Sequence, residues 1–213
     1  MNLPAAPQPP QLPQLQLPVA ALPEPPLQLV VMGVSGCGKS TIGAALAAAL
    51  GLSFIEGDTL HPPRNVALMA AGTPLTDADR AGWLGTLADR LAQAHRAGQG
   101  LVVSCSALKR RYRDQLRAHC PGLRLLHLRG THAQLIGRLQ ARSGHYMPAS
   151  LLDSQLDTLE LPAADEHALC FDVGLPAARI TAEALALLKR PAASAAPASE
   201  PSAASSAAPH AAP

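Results

Sequence analysis

Aromatic residues are scarce: one Trp, two Tyr and two Phe in 213 positions. A core must therefore rest on Leu, Val, Ile and Ala. Cysteine is sparse as well. Cys37, Cys105, Cys120 and Cys170 show neither paired metal spacing nor a dense disulfide framework. They read as reduced thiols of a cytoplasmic protein. His95, His119, His127, His132 and His167 lack any mutual metal spacing. No sign of charge dominates; the net charge is +2, which implies no polyanionic partner and speaks against nucleic-acid binding. The first basic residue is Lys39, so no secretory leader is expected. The longest uncharged stretch of the apolar region, Ser40–Ile55, is too short and too glycine-broken to span a membrane.

The two ends also lack what a core needs. Residues 1–26 hold nine prolines and one charge, Glu24, and residues 191–213 contain only Pro, Ala, Ser, Glu and His. Such segments bury too little to offset their ordering entropy. A single domain is expected over residues 27–190, flanked by two disordered tails.

Within that domain five short apolar runs alternate with helical patterns. The runs are Leu27–Met32, Ser53–Glu56, Leu101–Ser104, Leu123–Leu128 and Ala168–Val173. Continuous apolar strands suit a parallel sheet covered on both faces. Leu84, Leu87, Ala88, Leu91 and His95 form one helical stripe, Leu152, Leu156 and Leu159 another, and Ile180, Ala184, Leu187 and Leu188 a last one. Thr76 with Asp79 and Thr131 with Gln134 have the spacing of helix caps. The alternation predicts a doubly wound α/β domain with ligands along the carboxyl edge of the strands. Two segments break the rhythm, Gly57–Asp77 and Ala141–Pro148. Both read as irregular connections placed where a kinase needs a substrate cover and a phosphate lid.

The first run leads into GVSGCGKST, residues 33–41, which fits the pattern of a phosphate-binding loop. Gly33, Gly36 and Gly38 allow backbone amides, with those of Val34, Ser35, Cys37 and Thr41, to face one concavity. The Ala-rich stretch that follows predicts a helix whose free amino-terminal N–H groups favour an anion. Lys39 is placed to reach the β- and γ-phosphates, and the Ser40 hydroxyl to ligate Mg²⁺. Cys37 at a helix start reads either as a reactive thiol or, more plainly, as a small loop filler.

Further along, FIEGDTLHPPRN should emerge at the ligand edge. Asp58, His61, Arg64 and Asn65 suit a polyhydroxylated anion, with a carboxylate on Arg64 and hydroxyls on Asp58 and Asn65. Asp58 can accept the proton of an attacking hydroxyl, and Glu56 can act on the water shell of Mg²⁺. In SALKRRYRDQLR, Lys109 and Arg113 share one helix side and are candidates to hold an anionic group of the substrate. Arg138 and Arg142 have the same spacing and can neutralise charge on a transferred phosphoryl group, with His145 on the adjoining turn. Trp83 reads as a core residue whose N–H needs a partner.

These strings together resemble the gluconate kinases. GVSGCGKST is generic to phosphate loops, whereas the blocks in EGDTLHPPRN, SCSALKRRYRDQLR and SGHYMPASLLDSQLDTLE are far more specific; together with MAAGTPLTDADRAGWL these strings run from residue 33 to 160 in the family's order. Leu68 stands where the family often has Lys. The resemblance implies a three-layer P-loop kinase fold, like that of nucleoside monophosphate kinases, with a five-stranded parallel sheet and a moving lid. It implies transfer of the ATP γ-phosphate to the 6-hydroxyl of D-gluconate with Mg²⁺, by a cytoplasmic homodimer. It places ATP on residues 33–41 and Arg138, catalysis on Lys39, Asp58 and Arg142, and gluconate on Asp58, His61, Arg64 and Asn65. Two other readings fit the phosphate loop alone: a kinase of another small molecule such as shikimate, and a nucleotide-gated binding protein without catalysis.

Overall fold

A computed structural model describes residues 26–141 and 151–189. The tails, Arg142 and His145, and nearly all of the Ala141–Pro148 turn lie outside the described residues. Among the described residues five strands form one parallel sheet in the order β2-β3-β1-β4-β5. They are β1 (Gln28–Met32), β2 (Ser53–Glu56), β3 (Leu101–Ser104), β4 (Arg124–Arg129) and β5 (Leu169–Asp172). Each expected strand is present, shifted by at most one residue at an end.

The helices are α1 (Lys39–Leu50), α2 (Pro63–Ala70), α3 (Asp77–Arg96), α4 (Arg110–His119), α5 (His132–Gln140), α6 (Leu151–Thr158) and α7 (Ala177–Leu188). Strand β1 shows why the apolar runs are continuous. Leu29 and Val31 join the core beneath α1 and α7, while Val30 and Met32 join the opposite core beneath α3. Both faces of the sheet are covered, so alternation in the pleat does not become alternation in polarity. Helix α3 starts at a true capping box. The Asp79 amide donates to the Thr76 hydroxyl (3.2 Å), and the Thr76 amide donates back to Asp79 (2.9 Å). Thr131 and Gln134 do the same for α5.

The segment after β2 departs from expectation. Gly57–Leu60 is a 3-10 turn, and α2 starts on Pro63, whose fixed φ and missing N–H suit a first turn. Part of the connection expected to be irregular is thus helical. In the last stripe, Leu187 is more than a third exposed, whereas Ile180, Ala184 and Leu188 are buried.

Candidate active site

All the functional segments leave the sheet at the carboxyl ends of its strands. Between β1 and α1 the chain turns on Gly33, Gly36 and Gly38, with φ of 137°, 81° and 94°. A Cβ on Gly33 would stand 2.5 Å from the Leu128 carbonyl oxygen, so β4 and the loop approach as closely as backbones allow. Gly38 caps α1 without any side-chain hydrogen bond. Among the described residues no protein acceptor meets the amides of Gly38, Ser40 and Thr41, while that of Lys39 is turned to the Cys37 sulfur. Unspent amides and the positive end of a helix in one cup are what a polyphosphate needs. Lys39 is buried and its ammonium donates to the Val34 carbonyl (3.2 Å), which folds it over the loop. Cys37 is buried and its thiol is pushed up in pKa by that burial, so it fills the loop and is no nucleophile.

On one flank of the cup lies an apolar trough lined by Thr41, Ile42, Leu175, Ala177 and Ile180. Arg138 closes its rim. Its guanidinium donates to the Val173 carbonyl and comes close to Gly38.

On the other flank is a polar cleft that brings Lys39 together with Asp58 and His61, as the sequence predicts. The His61 ring stacks on Trp83, with centroids 4.1 Å apart and planes within 17°. Trp83 donates its indole N–H to the Gly57 carbonyl (2.8 Å), which satisfies the expected need for a partner. Burial lowers the His61 pKa to about 4, with Asp58 pulling it up and Arg80 pushing it down. The ring is therefore neutral at pH 7.

Asn65 is buried and supports this ring. Its amide nitrogen donates to the Asp79 carbonyl (2.7 Å) and lies 3.4 Å from His61 Nδ1. The bond to a carbonyl fixes which atom of the amide is nitrogen, and an amide nitrogen only donates. His61 Nδ1 is then the acceptor, and its proton sits on Nε2. Asn65 thus acts as a positioning residue, in place of the direct hydroxyl contact expected of it.

Three other expected contacts are not brought together. Arg64 is largely exposed and pairs with Asp79 (2.6 Å) on the outer surface of α3. Lys109 stands at the start of α4 and pairs with Asp77 (3.0 Å), which also takes the Tyr112 hydroxyl and Arg111. Arg113 is the firmest correction. It is fully buried and forks onto Glu166 at 2.6 and 2.7 Å, while its Nη1 is shared among the carbonyls of Ala107, Leu108 and Glu160. A side chain so enclosed presents no donor to a substrate. Glu56 accepts the Ser104 hydroxyl, which in turn accepts the Gly57 amide (3.1 Å), so it ties β2 to β3.

The cleft also contains residues that sequence reasoning did not assign. Arg80 and Trp83 project into it from one face of α3, and Gln155 reaches it from α6 and accepts the Ser35 amide (2.7 Å). The signal for Arg80 was available. It continues the buried stripe of Leu84, Leu87, Ala88 and Leu91 by one turn, and a charge on a core stripe is seldom there for packing.

The chain is similar to proteins that share this arrangement. A family model described as an AAA domain matches residues 29–162. A gluconokinase of Gluconobacter oxydans is 55% identical over 141 residues, covering 66% of this chain and 79% of that protein. Among solved structures, a gluconokinase from Sinorhizobium meliloti is 51% identical with a TM-score of 0.70, over 77% of this chain and 92% of that one. A sugar kinase from a Janibacter species is 46% identical with a TM-score of 0.75, over 77% and 95%. Phosphate cup, polar cleft and likeness over most of the relatives' length agree: the chain belongs to the gluconokinase family of P-loop kinases.

Proposed function

We propose that this protein phosphorylates D-gluconate at its 6-hydroxyl, using ATP and releasing ADP, and that residues 27–190 are the catalytic unit. The observation that carries this reading is the position of Asp58, facing the same cleft as Lys39 at the mouth of the phosphate cup. The triphosphate lies on the free amides of Gly38, Ser40 and Thr41, and the nucleoside rests in the apolar trough beside them. Arg138, and by the family resemblance Arg142, meet the phosphates. Gluconate enters the polar cleft. The Asp58 carboxylate takes the proton of the 6-hydroxyl. The alcohol oxygen bonds to the γ-phosphorus as the bond to the β–γ bridging oxygen breaks, and ADP leaves with that electron pair. Lys39 spreads the charge gathering on the phosphate oxygens.

The residues present fit Mg²⁺ held in the P-loop manner. No cluster of three acidic, His or Cys ligands occurs among the described residues, and Ser40 stands in the first turn of α1, at the cup. Its hydroxyl would hold the ion together with phosphate oxygens and water, and the ion would supply charge neutralisation there. A cytoplasmic homodimer belongs to the same proposal and rests on the family resemblance. No described helix is long and apolar enough to cross a membrane.

A coupled assay of ADP release with gluconate, shikimate or no acceptor tests the substrate, and Asp58→Asn tests the chemistry. Loss of a general base should lower kcat by about 100-fold or more and leave the KM for ATP in place. A variant that lost only ATP affinity would contradict the acceptor role. The relatives' names favour gluconate over shikimate. A non-catalytic binder has no use for a carboxylate held beside the phosphate site.

A further inference from the structure

We infer that Arg80 is the residue that reads the carboxylate of the acceptor, and so the specificity residue that separates a sugar acid from a neutral sugar. The inference rests on gluconate as the acceptor and adds a role that Arg64, turned outward onto Asp79, does not fill.

Arg80 is 9% exposed and lines the cleft together with Asp58, His61 and Trp83. Among the described residues its guanidinium makes no ion pair and no hydrogen bond; its Cζ stands 5.9 Å from the Tyr112 ring, and it shares the cleft lining with His61 and Asp58. A buried cation without an anion is costly and persists where something else supplies the anion. The neighbouring acids are committed elsewhere. Asp77 takes Lys109, Arg111 and Tyr112, and Asp79 takes Arg64 and the cap of α3. Both acids in the first turn of its own helix are thereby engaged by other partners.

The position adds to the preference for an anion. Arg80 lies in the first turns of α3, a 20-residue helix whose amino-terminal end already carries positive potential. Its planar fork matches a carboxylate with two parallel N–H···O bonds. Trp83, three residues on and held by its bond to Gly57, forms the adjoining wall. The neutral His61, stacked on that wall, offers its Nε2–H to a hydroxyl or a carboxylate oxygen. Lys39 and Asp58 border the same cleft, so a polyol chain anchored by its acid group on Arg80 can present its far alcohol to them.

The test compares the wild type, Arg80→Met and Arg80→Lys in three readouts: KM for gluconate, KM for ATP, and inhibition by sorbitol. Sorbitol is the same polyol with an alcohol where the acid stands. Arg80→Met should raise the gluconate KM by at least about 30-fold, the scale of a lost charge-assisted fork. The KM for ATP, kcat at saturating gluconate and the sorbitol inhibition constant should stay within about threefold. Arg80→Lys keeps the charge without the fork, so its gluconate KM should fall between the two, and it serves where the Met variant fails to fold. An unchanged gluconate KM in the Lys variant, or equal losses for gluconate and sorbitol, would overturn the role of Arg80. A wild type inactive on gluconate would instead overturn the substrate assignment itself.

Discussion

Replacing Arg113 by Met separates support from binding at a position where the sequence pointed to binding. Arg113 and Glu166 are both fully buried, and two parallel bonds of 2.6 and 2.7 Å join them. The two N–H groups of Nη1 are shared among three carbonyls at 3.0–3.2 Å, on Ala107, Leu108 and Glu160. Met fills most of the volume but returns none of these bonds. Glu166 would keep Arg117 (2.9 Å) and the Ala163 amide (3.0 Å), so its charge would be partly met, while three carbonyls lost their donor. Breaking one side of a buried pair costs about 3–5 kcal/mol. For a domain of this size that is a fall in Tm of roughly 10 °C.

The effect also has a pH signature. The Arg113 fork holds the Glu166 pKa near 2, below its ordinary 4.5. A depressed carboxyl stabilises the fold above the unfolded pKa and loses that contribution as pH falls through the folded one. The stability gap between wild type and Arg113→Met should therefore be full at pH 7 and narrow between about pH 4.5 and 2. Urea unfolding across that range measures it, and the KM for gluconate of the folded variant at 25 °C should equal that of wild type. A stable variant with a raised gluconate KM would refute the supporting role and restore Arg113 to the substrate.

Three other outcomes follow from the geometry. Lys39→Ala should lower turnover by several powers of ten with little change in Tm, because among the described residues its side chain bonds only to a loop carbonyl; near-normal turnover would remove the phosphate cup from the mechanism. His127 is buried in β4 with Nε2 unpartnered, and burial lowers its pKa to about 4. It charges on unfolding, so stability should fall as pH drops from about 6.5 to 4, and His127→Leu should recover on the order of 1–2 kcal/mol of that loss at pH 5 by urea titration. Gly57→Ala should destabilise by about 2 kcal/mol or more and abolish activity, since its Cβ would stand 2.1 Å from the Ser104 carbonyl oxygen between β2 and β3; a normal melting curve would contradict the register of those strands.

The strands were legible because a buried parallel sheet removes polar positions from both faces, and runs such as Leu101–Ser104 have no other account in a chain so short of aromatics. The phosphate loop was legible because its function resides in backbone amides, and only particular residues at fixed spacing bend a backbone that way. The acceptor cleft was legible only in part. Proximity in sequence groups Asp58, His61, Arg64 and Asn65, but the turn into α2 sends their side chains in different directions. His61 faces the cleft, Asn65 lies beneath it and Arg64 points to solvent. Charge type alone does not tell a cation that awaits an anion from one already paired. Lys109, Arg113 and Arg80 carry the same sign near the same edge, and the difference lies in which acids reach them from elsewhere in the chain. Asp77 comes from α3 to Lys109, and Glu166 comes from the turn before β5 to Arg113. Among the described residues Arg80 has no such partner, and of the three it is the one that lines the cleft. Pairing across long sequence separation therefore decides which arginine is free to bind, and that information is in the fold before it is in any motif.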